Sequence, residues 1–441
     1  MRIRRSVHSI MLGFLAVAIA ACGSRAEPSP QAATPSEQTT GLPVSATATP
    51  QHAAADTAQP AASATAAWPS APASATTTAA PPVTSTPAAT AASAPTPTLA
   101  PTMPRIQKLV SGLDTPWAID FAADGRAFIT ERPGRIRIVK DGLLLAEPWM
   151  IVPVAEVSEA GLLGLALDPQ FAGNGFVYVA YTYRTDGALR NRLVRLREDP
   201  ATGKGVFDRV LLDSVSGAAN HDGGRVKFGP DGKLYWTMGD AQDAGLAQNR
   251  SSLNGKILRL DPDGAIPADN PFPGSPVYSF GHRNPQGLAW QPGTGLLFAT
   301  EHGPSGGQGC CQDEINLIEP GKNYGWPVIT GDRAAEGMVS PVIHSGTTET
   351  WAPSGMAFVT AGPWAGSLVF TGLRGQALYR LTLDPHDPRR ALALERLFQG
   401  QFGRLRDVAQ GPDGALYLLT SNADGRGNPG AEGDSVLRVT F

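Results

Sequence analysis

The chain of 441 residues carries 36 Lys and Arg against 39 Asp and Glu, a net charge of −3, with 50 Gly and only 17% charged residues. That balance excludes the basic footprint of a nucleic-acid binder, so no nucleic-acid partner is expected. Abundant Gly with sparse charge points to a turn-rich β-protein, and the length suits either several domains or one repeat architecture.

Residues 1–22 read as a targeting segment. Arg2, Arg4 and Arg5 form a basic start, and Ile10 to Ala21 is an apolar run too short to span a bilayer comfortably. It ends in Ile19-Ala20-Ala21-Cys22, which resembles a bacterial lipobox. The expectation is an exported lipoprotein, anchored to a membrane through lipid on Cys22 and facing the periplasm or the exterior. An ordinary signal peptide cleaved near Ala21 is the alternative. Residues 23–104 are almost entirely Ala, Thr, Pro and Ser. They lack the apolar content to offset ordering entropy and are expected to form a disordered tether. Cys310 and Cys311 are the other two cysteines. They read as either a vicinal disulfide, which an oxidising compartment permits, or two free thiols in a loop.

From Arg105 to Phe441 the chain repeats. Six segments follow one plan: an apolar strand, a turn with Gly, and a second apolar or aromatic strand. They begin near Trp117, Leu163, Gly224, Gln286, Ser354 and Arg406, with turn pairs Asp124-Gly125, Asn174-Gly175, Asp231-Gly232, Thr294-Gly295, Ala365-Gly366 and Asp413-Gly414. Asp-Gly and Asn-Gly pairs tolerate the positive φ expected of such turns. A third strand follows each hairpin, and outer-strand candidates such as EPWMIVPV, GVFDRVLLDS and ALALERLF lie between units. The fold predicted is all-β: a six-bladed β-propeller of four-stranded antiparallel blades. RIQKLV, from Arg105, would complete the last blade and close the ring. A β-sandwich or two β-domains would not explain six matched copies.

In such blades, residues before the first strand or after the second share one face. Those positions hold Glu131, Arg132, Glu159, His221, Asp240, His282, Arg283, Asn284, Glu301, His302, Arg374, Arg404 and Arg406. Four of these arginines, Arg283, Arg374, Arg404 and Arg406, come from three blades and suit a polyanionic ligand, unless each pairs with a local carboxylate such as Asp407. His221 with Asp240 and no evident nucleophilic Ser points to proton abstraction from a hydroxyl rather than acyl transfer. The Gly-rich loop from Glu301 to Glu314 carries carbonyls and carboxylates of the kind calcium uses, and no His spacing suits zinc.

GHRNPQGLAW, EHGP, DEINL, GKNYGWP, the NHDGGR…GPDGKLY…GD block and RLRDV together resemble the soluble pyrroloquinoline-quinone (PQQ)-dependent glucose/aldose sugar dehydrogenases. The resemblance spans the chain from about Arg105 to Phe441. It implies oxidation of an aldose at its anomeric carbon to an aldonolactone, with hydride passing to PQQ, calcium as second cofactor, and electrons leaving to a separate acceptor. It implies His221 as general base supported by Asp240, and Arg283 and Asn284 beside the quinone oxygens. Arg374, Arg404 and Arg406 would meet the cofactor carboxylates. Backbone oxygens of Gly303 and Pro304 would hold the cofactor's calcium, and those of Glu314 and Tyr324 a structural one. Three positions depart from the family pattern. Glu159 stands where a cofactor-contacting Gln is usual, His302 replaces a Gln, and Gly309 to Gln312 lengthens the loop. The short stretch between Thr330 and Thr350 suggests an open site and broad aldose specificity. Two other classes compete: a calcium-bearing propeller lactonase or other hydrolase, and a non-catalytic extracellular binding propeller.

Overall fold

The computed structural model describes residues 104–305 and 310–441. The leader, Cys22 and the tether up to residue 103 lie outside the described residues. None of the described helices is long and apolar enough to cross a membrane.

Six antiparallel sheets form the six blades, five of four strands and one of five. The inner hairpins are Pro116–Phe121 with Ala127–Glu131, Leu162–Leu167 with Phe176–Thr185, Val226–Phe228 with Leu234–Met238, Pro285–Trp290 with Leu297–Glu301, Pro353–Phe358 with Leu368–Gly372, and Leu405–Gln410 with Leu416–Thr420. Each blade packs on its sequence neighbours, and the first strand of blade six packs on that of blade one. Arg105–Leu113 pairs antiparallel with Asp434–Thr440 and closes the ring as expected. A closed ring leaves no blade at a free end.

The core follows from strand alternation. Six apolar clusters occupy the six interfaces between blades. Blades one and two enclose Trp117, Phe128, Leu165 and Val179; two and three enclose Tyr178, Val226 and Trp236. Clusters of the same kind sit between the remaining pairs. Each blade therefore buries both faces, and burial of this kind contributes about 25 cal/mol per Å² of apolar surface.

Two details differ from the sequence-based expectation. In the hairpin turns only the Gly has positive φ, from 66° to 84° across the six pairs. The preceding Asp instead accepts a backbone N–H two residues on: Asp124 from Arg126, Asp231 from Lys233 and Asp413 from Ala415, each at 3.1 Å. The turn is a tight bend ending in a left-handed Gly, closed by Gly232 N–H donating to Gly229 O at 3.0 Å. At Asn174-Gly175 the connection is a four-residue helix, Phe171–Asn174, ended by left-handed Gly175. The second difference is in blade one, whose outer edge is two dipeptide strands, Leu143–Leu144 and Met150–Ile151. Pro148 and Pro153 flank the latter and cannot donate to a ladder.

Candidate active site

Blade three positions the central pair. Its first strand is entered through Asn220-His221 and its second exits at Gly239-Asp240. His221 holds a left-handed φ of 66°. A Cβ on Gly239 would lie 2.0 Å from His221 O, so only Gly lets the two ends of the hairpin close this tightly. His221 Nδ1 consequently lies 2.8 Å from Asp240 Oδ1. Asp240 is buried and held from three sides. Its Oδ2 accepts from Trp326 Nε1 at 2.9 Å, its Oδ1 from Gln242 N at 2.9 Å, and its own N–H donates to Arg283 O at 2.7 Å. With Nδ1–H directed to this carboxylate, Nε2 of a neutral His221 is left as an acceptor.

His221 and Asp240 line a cleft of about 550 Å³ at one end of the channel. Of the expected site residues, Glu159, His221, Asp240, Arg283, Gly303, Pro304, Arg374, Arg404 and Arg406 all line it. Asn284 does not. It is fully buried behind the wall, its Oδ1 accepting from Gly223 N at 3.0 Å. Glu314 and Tyr324 also lie behind the wall. With Gly303, Pro304 and Glu301 they line a separate small cavity of about 10 Å³, room for one water- or ion-sized occupant. Among the described residues no three His, Cys, Asp or Glu side chains gather as a metal cluster. A cation there would lean on backbone oxygens, as calcium can.

Other residues of the shared face serve the scaffold. Glu131 is fully buried, accepting from Arg135, Arg137 and the Asp114 backbone. Arg132 donates to Glu156. His282 is buried between Ser279 and Glu301, each at 2.8 Å, and stacks on Tyr324. Glu301 also accepts the Arg283 N–H, which fixes the backbone of that arginine.

The arginines divide. Arg404 is paired, its guanidinium 2.8 Å from the buried Asp424. Arg406 reaches Gln286 Oε1 at 2.8 Å and lies 3.9 Å from Asp424, while its Nε has no partner among the described residues. Arg283 gives one bond to His302 O at 3.2 Å, lies over the Trp326 ring at 5.4 Å, and also has an unpartnered Nε. Arg374 is exposed on the rim. Asp407 pairs instead with Arg225 at 2.9 Å, deep in the ring. Burial pushes the Arg283 and Arg406 guanidinium groups down from their ordinary value, a cost that a bound anion would offset. Asn284 Nδ2 and His302 Nε2 are likewise buried without partners among the described residues. Native proteins rarely leave such atoms unpaired, so these donors fit a bound polyanion with ring oxygens.

Glu159 is balanced by opposing effects. Burial pushes its carboxyl up, but His302, the Arg426 hydrogen bond and His221 outweigh it and bring it down to about 2. Burial also pushes His302 down, to about 4, so His302 is neutral at pH 7 and Arg426 carries the effect there.

Sequence reasoning missed Trp326, Gln286, Asp424 and Arg426. The GKNYGWP motif contains Trp326, but nothing in its spacing places it 2.9 Å from a residue 86 positions away. The Cys310 and Cys311 sulfurs are placed against each other, as the vicinal-disulfide alternative requires. Cys310 is exposed and Cys311 buried, on a shoulder beside the cleft lined also by Pro304, Gln312 and Trp326.

Comparison with known proteins places the chain in a family. A family model described as Glucose / Sorbosone dehydrogenase matches residues 113–429. Aldose sugar dehydrogenase YliI of Escherichia coli is 33% identical over 352 residues, covering 74% of this chain and 92% of that protein. The PQQ-bound form of aldose sugar dehydrogenase from Streptomyces coelicolor superposes with a TM-score of 0.68 at 38% identity, covering 77% of this chain and 98% of that one. A Thermus thermophilus oxidoreductase described as a glucose dehydrogenase gives a TM-score of 0.71 at 47% identity, covering 77% of this chain and 100% of that one.

Proposed function

The chain belongs to the glucose/sorbosone dehydrogenase family, and from that premise we propose that it oxidises aldose sugars at the anomeric carbon to aldonolactones, using PQQ and calcium. The observation that carries this reading is the His221–Asp240 pair facing a cleft rimmed by Arg283, Arg374, Arg404 and Arg406.

His221 Nε2 takes the proton of the anomeric hydroxyl. Asp240, fixed by Trp326 and the Gln242 backbone, holds the ring in the tautomer that can do so and stabilises the imidazolium that results. PQQ, when bound, supplies the acceptor for the hydride leaving the anomeric carbon. Arg283 is buried beside the pair, where a fixed cation stabilises negative charge developing on a bound oxygen. Asn284 Nδ2 and the free Nε atoms of Arg283 and Arg406 are the donors suited to the cofactor's oxygens. Arg374 and Arg404 would meet its carboxylates. Gly303 and Pro304 would offer carbonyl oxygens to calcium at the cleft, and Glu314 and Tyr324 would do so in the small cavity behind. Electrons would leave to a separate acceptor. Export and lipid anchoring through Cys22 belong to this reading as well, supported by the basic start, the apolar run and the Ile19-Ala20-Ala21-Cys22 motif.

The test is a titration of the apo-protein with PQQ in excess calcium, followed by dye reduction over a panel of aldoses. Saturable binding at micromolar PQQ with aldose-dependent reduction is expected. No PQQ binding at that level would sink the proposal, and lactone hydrolysis without quinone would replace it with the hydrolase.

A further inference from the structure

Glu159 presents a problem for an anion-binding cleft. It is a carboxylate on the wall of a site whose other features recruit negative charge, and its side chain is largely buried. The residue that resolves this is Arg426, from the irregular segment after the second strand of blade six. Arg426 NH1 pairs with Glu159 Oε1 across the rim. Its NH2 donates to Asn220 Oδ1 at 3.0 Å and lies 3.5 Å from Ser158 Oγ. Glu159 Oε2 accepts the His221 backbone N–H at 3.4 Å. One ion pair from blade six thus reaches blade two and grips the two residues, Asn220 and His221, that carry the central imidazole.

The segment that holds Arg426 is anchored. Asp424, two residues before it, pairs with Arg404. Gly427, just after it, packs so closely on Asn422 and Arg404 that a Cβ would meet them at 2.7–2.9 Å. The same short stretch therefore sets one ligand-facing arginine and delivers another to Glu159. Five arginines and three carboxylates line the cleft: Arg283, Arg374, Arg404, Arg406 and Arg426 against Glu159, Asp240 and Asp313. Loss of Arg426 would halve that excess and release a bare carboxylate toward the ligand.

We propose that Arg426 and Glu159 act as one unit, a neutral strap in which Arg426 cancels the Glu159 charge and so preserves affinity for the polycarboxylate cofactor. Arg426 is a positioning residue, acting through Glu159 rather than on the ligand. The inference rests on the PQQ reading of the cleft.

The test is a double-mutant cycle on PQQ affinity, read by fluorescence titration or calorimetry of the apo-protein with calcium present. Arg426→Gln should weaken PQQ binding on the order of tenfold or more, the range of coupling between contacting charges. Glu159→Gln should bind as tightly as the wild type or tighter. The pair Glu159→Gln/Arg426→Gln should return to within about threefold of the wild type, since no bare charge remains. Arg426→Lys should recover much of the loss. A melting curve for each variant separates misfolding from lost affinity, and the double variant carries the test if Arg426→Gln is unstable. Equal weakening by Arg426→Gln in both backgrounds would overturn the strap, because Arg426 would then touch the ligand directly. So would an Arg426→Gln affinity equal to the wild type. If the wild type binds no PQQ, the underlying reading fails instead, so the two failures are distinguishable.

Discussion

At the turn end of blade three, Asp231 is saturated by its own neighbourhood: Lys233 N–H on Oδ1, Tyr235 Oη and Arg259 Nε on Oδ2. Blade six repeats this with Asp413, Ala415, Tyr417 and Arg438. At the other end of the same strands the inventory is similar, yet it does not close. Asp240 is satisfied, but the His221 Nε2 it orients faces the cleft, and Arg283, Asn284, His302 and Arg406 keep buried atoms without partners among the described residues. Both ends use Asp, Arg and aromatic groups on identical strands. The difference is whether the polar groups spend their capacity on each other, which stabilises, or hold it for something else, which costs stability and leaves chemistry available. Residue type alone does not mark a site; here it is unspent capacity gathered around a cleft, since single atoms without partners among the described residues, such as Trp236 Nε1 and Tyr379 Oη, also occur away from it.

That contrast can be broken or sharpened by substitution. At the cleft end, His221→Ala should lower kcat about 10²–10⁴-fold, the usual weight of a positioned base, with PQQ affinity nearly unchanged in a separate titration. Arg406→Ala should act on binding instead. Loss of a buried charged donor should raise the Kd for PQQ about 10–100-fold. At the turn end, Asp231→Ala should lower Tm by a few degrees through loss of its three bonds, with kcat/KM unaltered; a drop in kcat/KM would erase the distinction between the ends. The smallest effect is in pH. The Glu159 carboxyl is lowered in the folded state from 4.5 to about 2, so its stabilising contribution is present above pH 4.5 and is lost as pH falls toward 2. The Tm difference between wild type and Glu159→Gln should therefore shrink as pH falls from about 4.5 toward 2. A difference unchanged across that window would mean the carboxyl is not held down in the folded state.

The six-bladed ring was legible in the sequence because period-2 strands and a Gly turn recur six times, and the closing strand RIQKLV had no other edge to fill. The mouth residues were legible for the same reason, since topology places them at fixed offsets from each hairpin. Asn284 shows the limit of that rule. Offset puts it on the shared face but does not foretell that its Oδ1 accepts the Gly223 N–H while its Nδ2 is left without a partner among the described residues. Arg426 and Asp424 were not legible. They sit in an irregular stretch between Thr420 and Asp434, where no period relates position to direction, and only the folded chain brings Arg426 to Glu159, 267 positions away. The turn chemistry was half legible. Asp-Gly marks the bend, but Asp contributes a side-chain acceptor rather than the positive φ expected of it.

The closing strand has a directional consequence. Leu113 pairs with Asp434 at the cleft end of blade six, and Arg105 pairs with Thr440 at the turn end. The chain therefore enters the ring on the outermost strand, from the side opposite the cleft. The strand that completes the last blade thus runs toward the cleft, and its first residue lies at the end away from it.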